Sequence, residues 1–283
     1  MAMPNTDIVK RILPNLSEVS EIKIGGQKAV FSAIDSDIGN VIVKIMLPGG
    51  SCDRLNREIE IVSSNSFPNV PIIHSYDTFM IDGNQCVYIV EQYIDGSDLR
   101  SVLNARGRLD ADNTVLLMHS LLETAVALEK CRVVHRDIKP ENILCSRDGK
   151  FWLLDFGIAR DLCKVSLTDT AAHFGPHTAG YAAPEQFRNM KKKIDARADL
   201  FSIGVMAYEA LSGHHPFATG ARDYLDILRR TEAINISPLL IENDHGGYLA
   251  KFINLLMEKY PSRRPPSVKV AKDWFEQITR KRE

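Results

Sequence analysis

Residues 135–142 read His-Arg-Asp-Ile-Lys-Pro-Glu-Asn, and residues 155–157 read Asp-Phe-Gly. These stretches offer a carboxylate at Asp137, an ammonium at Lys139, an amide oxygen at Asn142 and a second carboxylate at Asp155. Phosphoryl transfer asks for that set: a carboxylate to receive a hydroxyl proton, a cation on the moving phosphate, and oxygen ligands for magnesium. Magnesium takes few protein oxygens and completes its shell with phosphates and water, so one amide and one carboxylate suffice.

The elements that must position these groups fall into two compositions. Residues 22–47 and 70–93 are short runs of Val, Ile and Tyr broken by turn residues, and they read as strands. Asp82-Gly83-Asn84 between two such runs predicts a hairpin. One helical segment, 53–64, interrupts the strands. From residue 98 onward helices dominate. Leu117, Leu121 and Leu128 share a face within a helix over 111–131, with Glu123 and Glu129 off it. A more apolar helix over 197–211 reads as buried and stops at Ser212-Gly213, with Pro216 following. Helices over 248–258 and 267–279 close the chain, and the first ~20 residues hold a possible helix.

Bulk properties set bounds. The 283 residues are 45% hydrophobic and 25% charged, with a formal net charge of −1. That charge argues against a bulk electrostatic nucleic-acid binder. No apolar run approaches the ~20 residues of a spanning helix, so no membrane partner is expected. The N-terminal residues lack the apolar core of a signal peptide. The five cysteines form no Cys-x-x-Cys pair and read as reduced thiols. A cytoplasmic location is the expectation.

The pattern H-R-D-x-K-P-x-N, followed by a strand at 151–154 and Asp-Phe-Gly, resembles the eukaryotic-type serine/threonine protein kinases. The resemblance covers about residues 22–280. It implies an α+β, bilobal fold: an extension at 1–21, a small antiparallel β lobe at 22–94, and a large helical lobe at 95–283. ATP and Mg2+ are expected in the cleft between lobes, with a protein as the substrate. By resemblance Asp137 is the base or orienting carboxylate, Lys139 sits on the γ-phosphate, and Asn142 and Asp155 hold magnesium. Lys44 ends the apolar run Val41-Ile42-Val43, where an ammonium needs an anionic partner. It matches the family's strand lysine, and Glu58 matches the helix glutamate that pairs with it, with Glu60 as the competing choice.

The glycine-rich turn departs from G-x-G-x-x-G-x-V. Aligned on Val30, the glycine places fall on Lys23, Gly25 and Lys28, with Gly26 an extra. Gly25 and Gly26 let backbone approach the phosphates, and Lys28 is expected to touch them; an ordinary hairpin turn is the alternative. The adenine is expected against Val30, an alanine-like position at Val43, and the connector Gln92-Tyr93-Ile94. Asp98 either meets the ribose hydroxyls or caps the next helix. Glu91 falls at the back of this pocket, where a carboxylate is costly unless paired; it meets a lysine, or the alignment is off by one.

Residues 155–185 resemble an activation segment ending in Ala-Pro-Glu. Thr178 matches the threonine that touches the catalytic pair. Arg136 resembles the arginine of kinases switched by phosphate, with Ser166, Thr168 and Thr170 as acceptors, unless it pairs with a carboxylate such as Asp169. Asp199 is expected to anchor the catalytic loop and Arg264 to pair with Glu185. The rival readings are a nucleotide-binding scaffold without turnover, favoured by the degraded glycine turn, a small-molecule kinase, and an interaction protein docking through a helix at 220–231. Oligomeric state is left open.

Overall fold

The structure is a computed structural model. It describes residues 4–25, 28–47, 59–60, 63–155, 180–187 and 194–280. These fall into two compact units. The first takes the described residues from 4 to 66 and from 71 to 95; the second takes 67–70, 96–155 and 180–280.

The first unit is a five-stranded antiparallel sheet. Helix α1 (Thr6–Ile12) leads into β1 (Leu16–Ile24), followed by β2 (Lys28–Asp35), β3 (Gly39–Met46), β4 (Ile73–Ile81) and β5 (Asn84–Gln92), in the order β1-β2-β3-β5-β4. Asn5 caps α1, its side chain accepting from the Ile8 N–H at 3.0 Å. The two-residue β4–β5 loop has positive φ at both positions, Asp82 at 48° and Gly83 at 75°, as a type I′ hairpin requires. Residues 16–21 were expected in an extension with a possible helix, yet they lie in β1. Register shifts between Ser17 and Ser20 and between Glu21 and Lys23 break the alternation that would have announced that strand.

Alternation gives the sheet two faces. Phe31, Val43 and Val90 align across three strands on one face, and with Val9 of α1 they belong to one buried cluster. On the other face Val30 stands opposite Lys44, and Lys44 opposite Ile89. This corrects one expectation. Val43 is fully buried among core residues on the face away from Val30 and Lys44; the residue that shares their face is Ile42, because side chains repeat every two residues along a strand.

The second unit is mostly helical. It contains β6 (Gly96–Asp98), α2 (Leu99–Arg106), α3 (Ala111–Lys130), a 3-10 turn at Pro140–Asn142, β7 (Ile143–Ser146), β8 (Phe151–Leu153), α4 (Pro184–Phe187), α5 (Arg197–Ser212), α6 (Tyr224–Ala233), α7 (Tyr248–Leu256) and α8 (Val268–Thr279). Helix α5 is buried along nearly its whole length, as its apolar composition implies, and Gly213 ends it at φ 74°. Glu129 of α3 accepts the first backbone N–H groups of α8, from Val268 and Lys269, where the helix dipole favours an anion. Helix α6 begins at Tyr224, four residues later than the expected 220.

Candidate functional site

The chemistry-bearing residues of the second unit hang on one three-stranded sheet, in the order β6-β7-β8. Ile143 pairs with Leu153, and the Leu154 N–H donates to the Asn142 carbonyl at 2.8 Å. That ladder sets Asn142 and Asp155 at the same open end of the hairpin, one before β7 and the other after β8. On the outer strand Asp98 pairs with Leu144. The approach there is close: a Cβ on Gly96 would sit 2.3 Å from the Cys145 carbonyl oxygen, so only glycine fits.

The loop preceding Asn142 is fixed from beneath. Buried Asp199, in the first turn of α5, accepts the His135 and Arg136 backbone N–H groups at 2.8 Å each. Burial pushes its carboxyl up to about 6, and those two N–H donors pull it back. Arg136 has φ 66°, a left-handed conformation rarely adopted by a long side chain. The grip of Asp199 on its N–H holds the loop there. His135 completes the brace: its Nδ1 accepts from the Asp137 N–H at 3.3 Å, which leaves Nε2 to donate to the Leu154 carbonyl at 3.2 Å.

On this platform Asp137, Lys139 and Asn142 come together. The Lys139 Nζ lies 3.0 Å from Asp137 Oδ2, both side chains being largely buried. The Asn142 amide nitrogen donates to the Asp137 carbonyl at 2.8 Å and to Oδ2 at 3.0 Å. Both amide hydrogens are thereby directed at Asp137, so the amide oxygen is the group left to face a cation. Asp155 has φ 52°, a second strained non-glycine position at the same site. Asn142 and Asp155 offer hard oxygen donors, a chemistry that fits Mg2+. Among the described residues no group of three or more His, Cys, Asp or Glu could hold a metal.

Asp98 caps α2, its carboxylate accepting from the Ser101 N–H at 2.9 Å and from the Ser101 hydroxyl at 2.7 Å. In the first unit, Lys44 forms an ion pair with Glu91, Nζ to Oε2 2.5 Å. Of the two alternatives for Glu91, the first is met: its carboxylate pairs with a lysine. The Gly25 N–H donates to the Lys28 carbonyl at 2.8 Å, closing the β1–β2 turn. Val30 is half-buried on the Lys44 face. Gln92 bonds Ile72 through backbone and side chain, and Ile94 follows it, half-buried. Glu58, Gly26, Ser166, Thr168, Thr170 and Thr178 lie outside the described residues.

Two supports stand away from the chemistry. Arg264 and Glu185 form a bidentate pair at 2.6 and 3.0 Å, both buried, with Arg264 also donating to the Arg197 and Glu258 carbonyls. The other was not legible in the sequence. Arg100 of α2 reaches Glu141 at 3.0 Å, Glu209 at 2.8 Å and the Tyr181 hydroxyl at 2.6 Å, and Tyr181 donates in turn to Glu209. Its four members come from four segments up to 109 residues apart, so no local spacing announces them.

Comparison with known proteins agrees with this arrangement. A family model described as the protein kinase domain matches residues 17–275. The chain is 35% identical over 216 residues to the probable serine/threonine-protein kinase pknA2 of Bifidobacterium longum, covering 73% of this chain and 27% of that one. It is 35% identical over 202 residues to the serine/threonine-protein kinase PknL of Mycobacterium tuberculosis, covering 70% and 49%. With the serine/threonine-protein kinase cds1 of Schizosaccharomyces pombe it shares 32% over 228 residues, covering 79% and 48%. The chain thus spans half or less of these relatives' lengths. With the loop of Asp137 braced on Asp199, Asn142 and Asp155 set by one hairpin, and this match over most of its length, the chain belongs to the protein kinase family.

Proposed function

We propose that this domain transfers the γ-phosphate of ATP, as its magnesium complex, to serine or threonine hydroxyls of protein substrates, its own chain included. One observation carries the reading. The Asp137 carboxylate is held by Lys139 and Asn142 in a loop whose backbone is clamped by buried Asp199.

In this reading Asp137 orients the substrate hydroxyl and takes its proton. Lys139, 3.0 Å from that carboxylate, stands beside the hydroxyl's path and offsets charge on the moving phosphoryl group. The Asn142 amide oxygen and the Asp155 carboxylate would hold Mg2+, which would supply charge neutralisation to the phosphates when bound. Lys44 contacts the α- and β-phosphates, Val30 and Ile42 line the base, and Gln92 and Ile94 flank it. Asp98 serves the ribose hydroxyls while it caps α2, since a carboxylate has lone pairs for both. Gly25 and Lys28 approach the phosphates from the β1–β2 turn. Catalysis then rests on positioning and preorganised charge rather than on a covalent intermediate. Phosphate on Ser166, Thr168 or Thr170 would pair with Arg136.

Incubation with ATP labelled at the γ-phosphate, Mg2+ and a generic protein substrate, followed by mapping of the modified residues, tests this. Phosphoserine and phosphothreonine are expected on the substrate and within residues 156–179. Label confined to small-molecule acceptors, or to tyrosine, would refute it.

A further inference from the structure

Among the described residues paired in the sheet, Glu91 is the acidic one on the face that bears Lys44, Val30, Ile42 and Ile89. The register places it. Ile42 stands opposite Glu91 and Lys44 opposite Ile89, so Glu91 is the diagonal neighbour of Lys44 on the adjacent strand. Its Oε2 lies 2.5 Å from Lys44 Nζ, with the two side chains only 8% and 13% exposed. Burial to that degree among aliphatic neighbours makes an uncompensated charge expensive, so each ion stabilises the other. The two strands are laddered from Val41–Gln92 to Met46–Val87 without a shift. The carboxylate is thus set by a rigid sheet rather than by a helix or a loop.

We propose that Glu91 is a positioning residue for Lys44, a sheet-borne carboxylate that keeps the lysine's ammonium charged and aimed at the nucleotide phosphates. This rests on the reading of Lys44 as a phosphate-binding lysine. The family resemblance gives that task to Glu58; the sheet supplies a second carboxylate for it. Preorganising the ammonium in this way lowers what nucleotide binding must spend on ordering it. It also makes position 91 a determinant of ATP affinity rather than a passive wall.

The test separates the ion pair from its use. The full chain is acetylated with acetic anhydride at pH 8, and Lys44 and Lys150 are quantified by mass spectrometry; Lys150 is 63% exposed and serves as the internal reference. Removing an adjacent opposite charge lowers a lysine's pKa by about one unit or more, so Glu91→Gln should speed Lys44 acetylation about tenfold and leave Lys150 unchanged. Titration calorimetry with MgATP on the same variant should show affinity down severalfold. Glu91→Asp keeps the charge on a shorter stem and should fall between wild type and Glu91→Gln in both assays, which also serves if the glutamine variant folds poorly. Equal Lys44 acetylation in wild type and variants overturns the pair. Faster acetylation with unchanged MgATP affinity overturns the positioning role. A wild-type chain that binds no MgATP, with the acetylation difference intact, strikes the phosphate role of Lys44 and the proposed function together while the ion pair stands.

Discussion

Replacing Arg264 with alanine tests how the second unit is held together. The guanidinium is wholly buried, and it satisfies both oxygens of a Glu185 carboxylate that is itself only 4% exposed. Truncation leaves that carboxylate buried without its counter-ion, which costs about 3–5 kcal/mol. The Arg197 and Glu258 carbonyls lose a donor at 2.8 Å each, adding about 1 kcal/mol apiece where water does not replace it. The ring of Phe201, 5.0 Å from the guanidinium carbon, loses a packing partner as well. For a chain of this size about 1 kcal/mol shifts Tm by ~2 °C, so the orphaned carboxylate alone predicts a drop of roughly 6–10 °C. The assay is calorimetric or near-UV thermal unfolding at one scan rate, at pH 7. The double variant Glu185→Leu with Arg264→Met removes both charges and fills the space, and it should recover most of the loss, because buried pairs are often no more stable than apolar replacements. A drop below ~2 °C for Arg264→Ala, or a double variant no better than the single one, refutes this reasoning.

Other expectations follow from particular contacts. Gly96→Ala would press its methyl against the Cys145 carbonyl of a paired strand, so Tm should fall by ~2–6 °C, for about 1–3 kcal/mol, and MgATP should bind more weakly; an unchanged Tm would contradict the β6–β7 approach. Burial lowers the pKa of His215 to about 4, with Glu209 opposing and Arg100 adding to the shift. A base with a depressed native pKa stabilises above the unfolded value near 6.5 and loses that stability as pH falls toward 4, by about 2 kcal/mol at pH 5 and about 3 at pH 4. The carboxyl of Asp199, pushed up to about 6, acts in the opposite sense over pH 4–6, so the test is a difference between variants. His215→Asn keeps an acceptor for the Phe217 and Ala218 N–H groups and should flatten the Tm-versus-pH curve between 6.5 and 4; a slope equal to wild type would sink the assignment. Lys28→Ala should weaken nucleotide binding severalfold in calorimetry, and equal affinity would remove Lys28 from the phosphate contacts.

The sequence was most legible where chemistry and geometry are local. His135 through Asn142 is one contiguous loop, and the hairpin that brings Asp155 to it spans a dozen residues, so spacing sufficed. The β4–β5 hairpin was equally plain, because Asp82-Gly83 names its own turn. Lys44 was found from the apolar run before it, and Glu91 was flagged because a carboxylate at the back of a pocket is costly unless paired; the sheet register brings it to Lys44. Strand β1 was obscured because its bulges leave Leu16 and Val19 buried three residues apart, which is no strand period. Val43 was mistaken for Ile42 because an unbroken apolar run does not say which residues share a face until the strand's neighbours are known. The Arg100–Glu209–Tyr181 cluster and the cap of Glu129 on α8 depend on chain-distant segments meeting, and nothing in their local sequence reports it.

In the proposed mechanism Asp137 serves the chemical step while other groups hold the nucleotide. Asp137→Asn separates these roles in one preparation assayed both for MgATP affinity and for phosphate transfer to a protein substrate. Turnover should fall by several orders of magnitude with nucleotide affinity largely kept. A variant that transfers phosphate at the wild-type rate would contradict the claim.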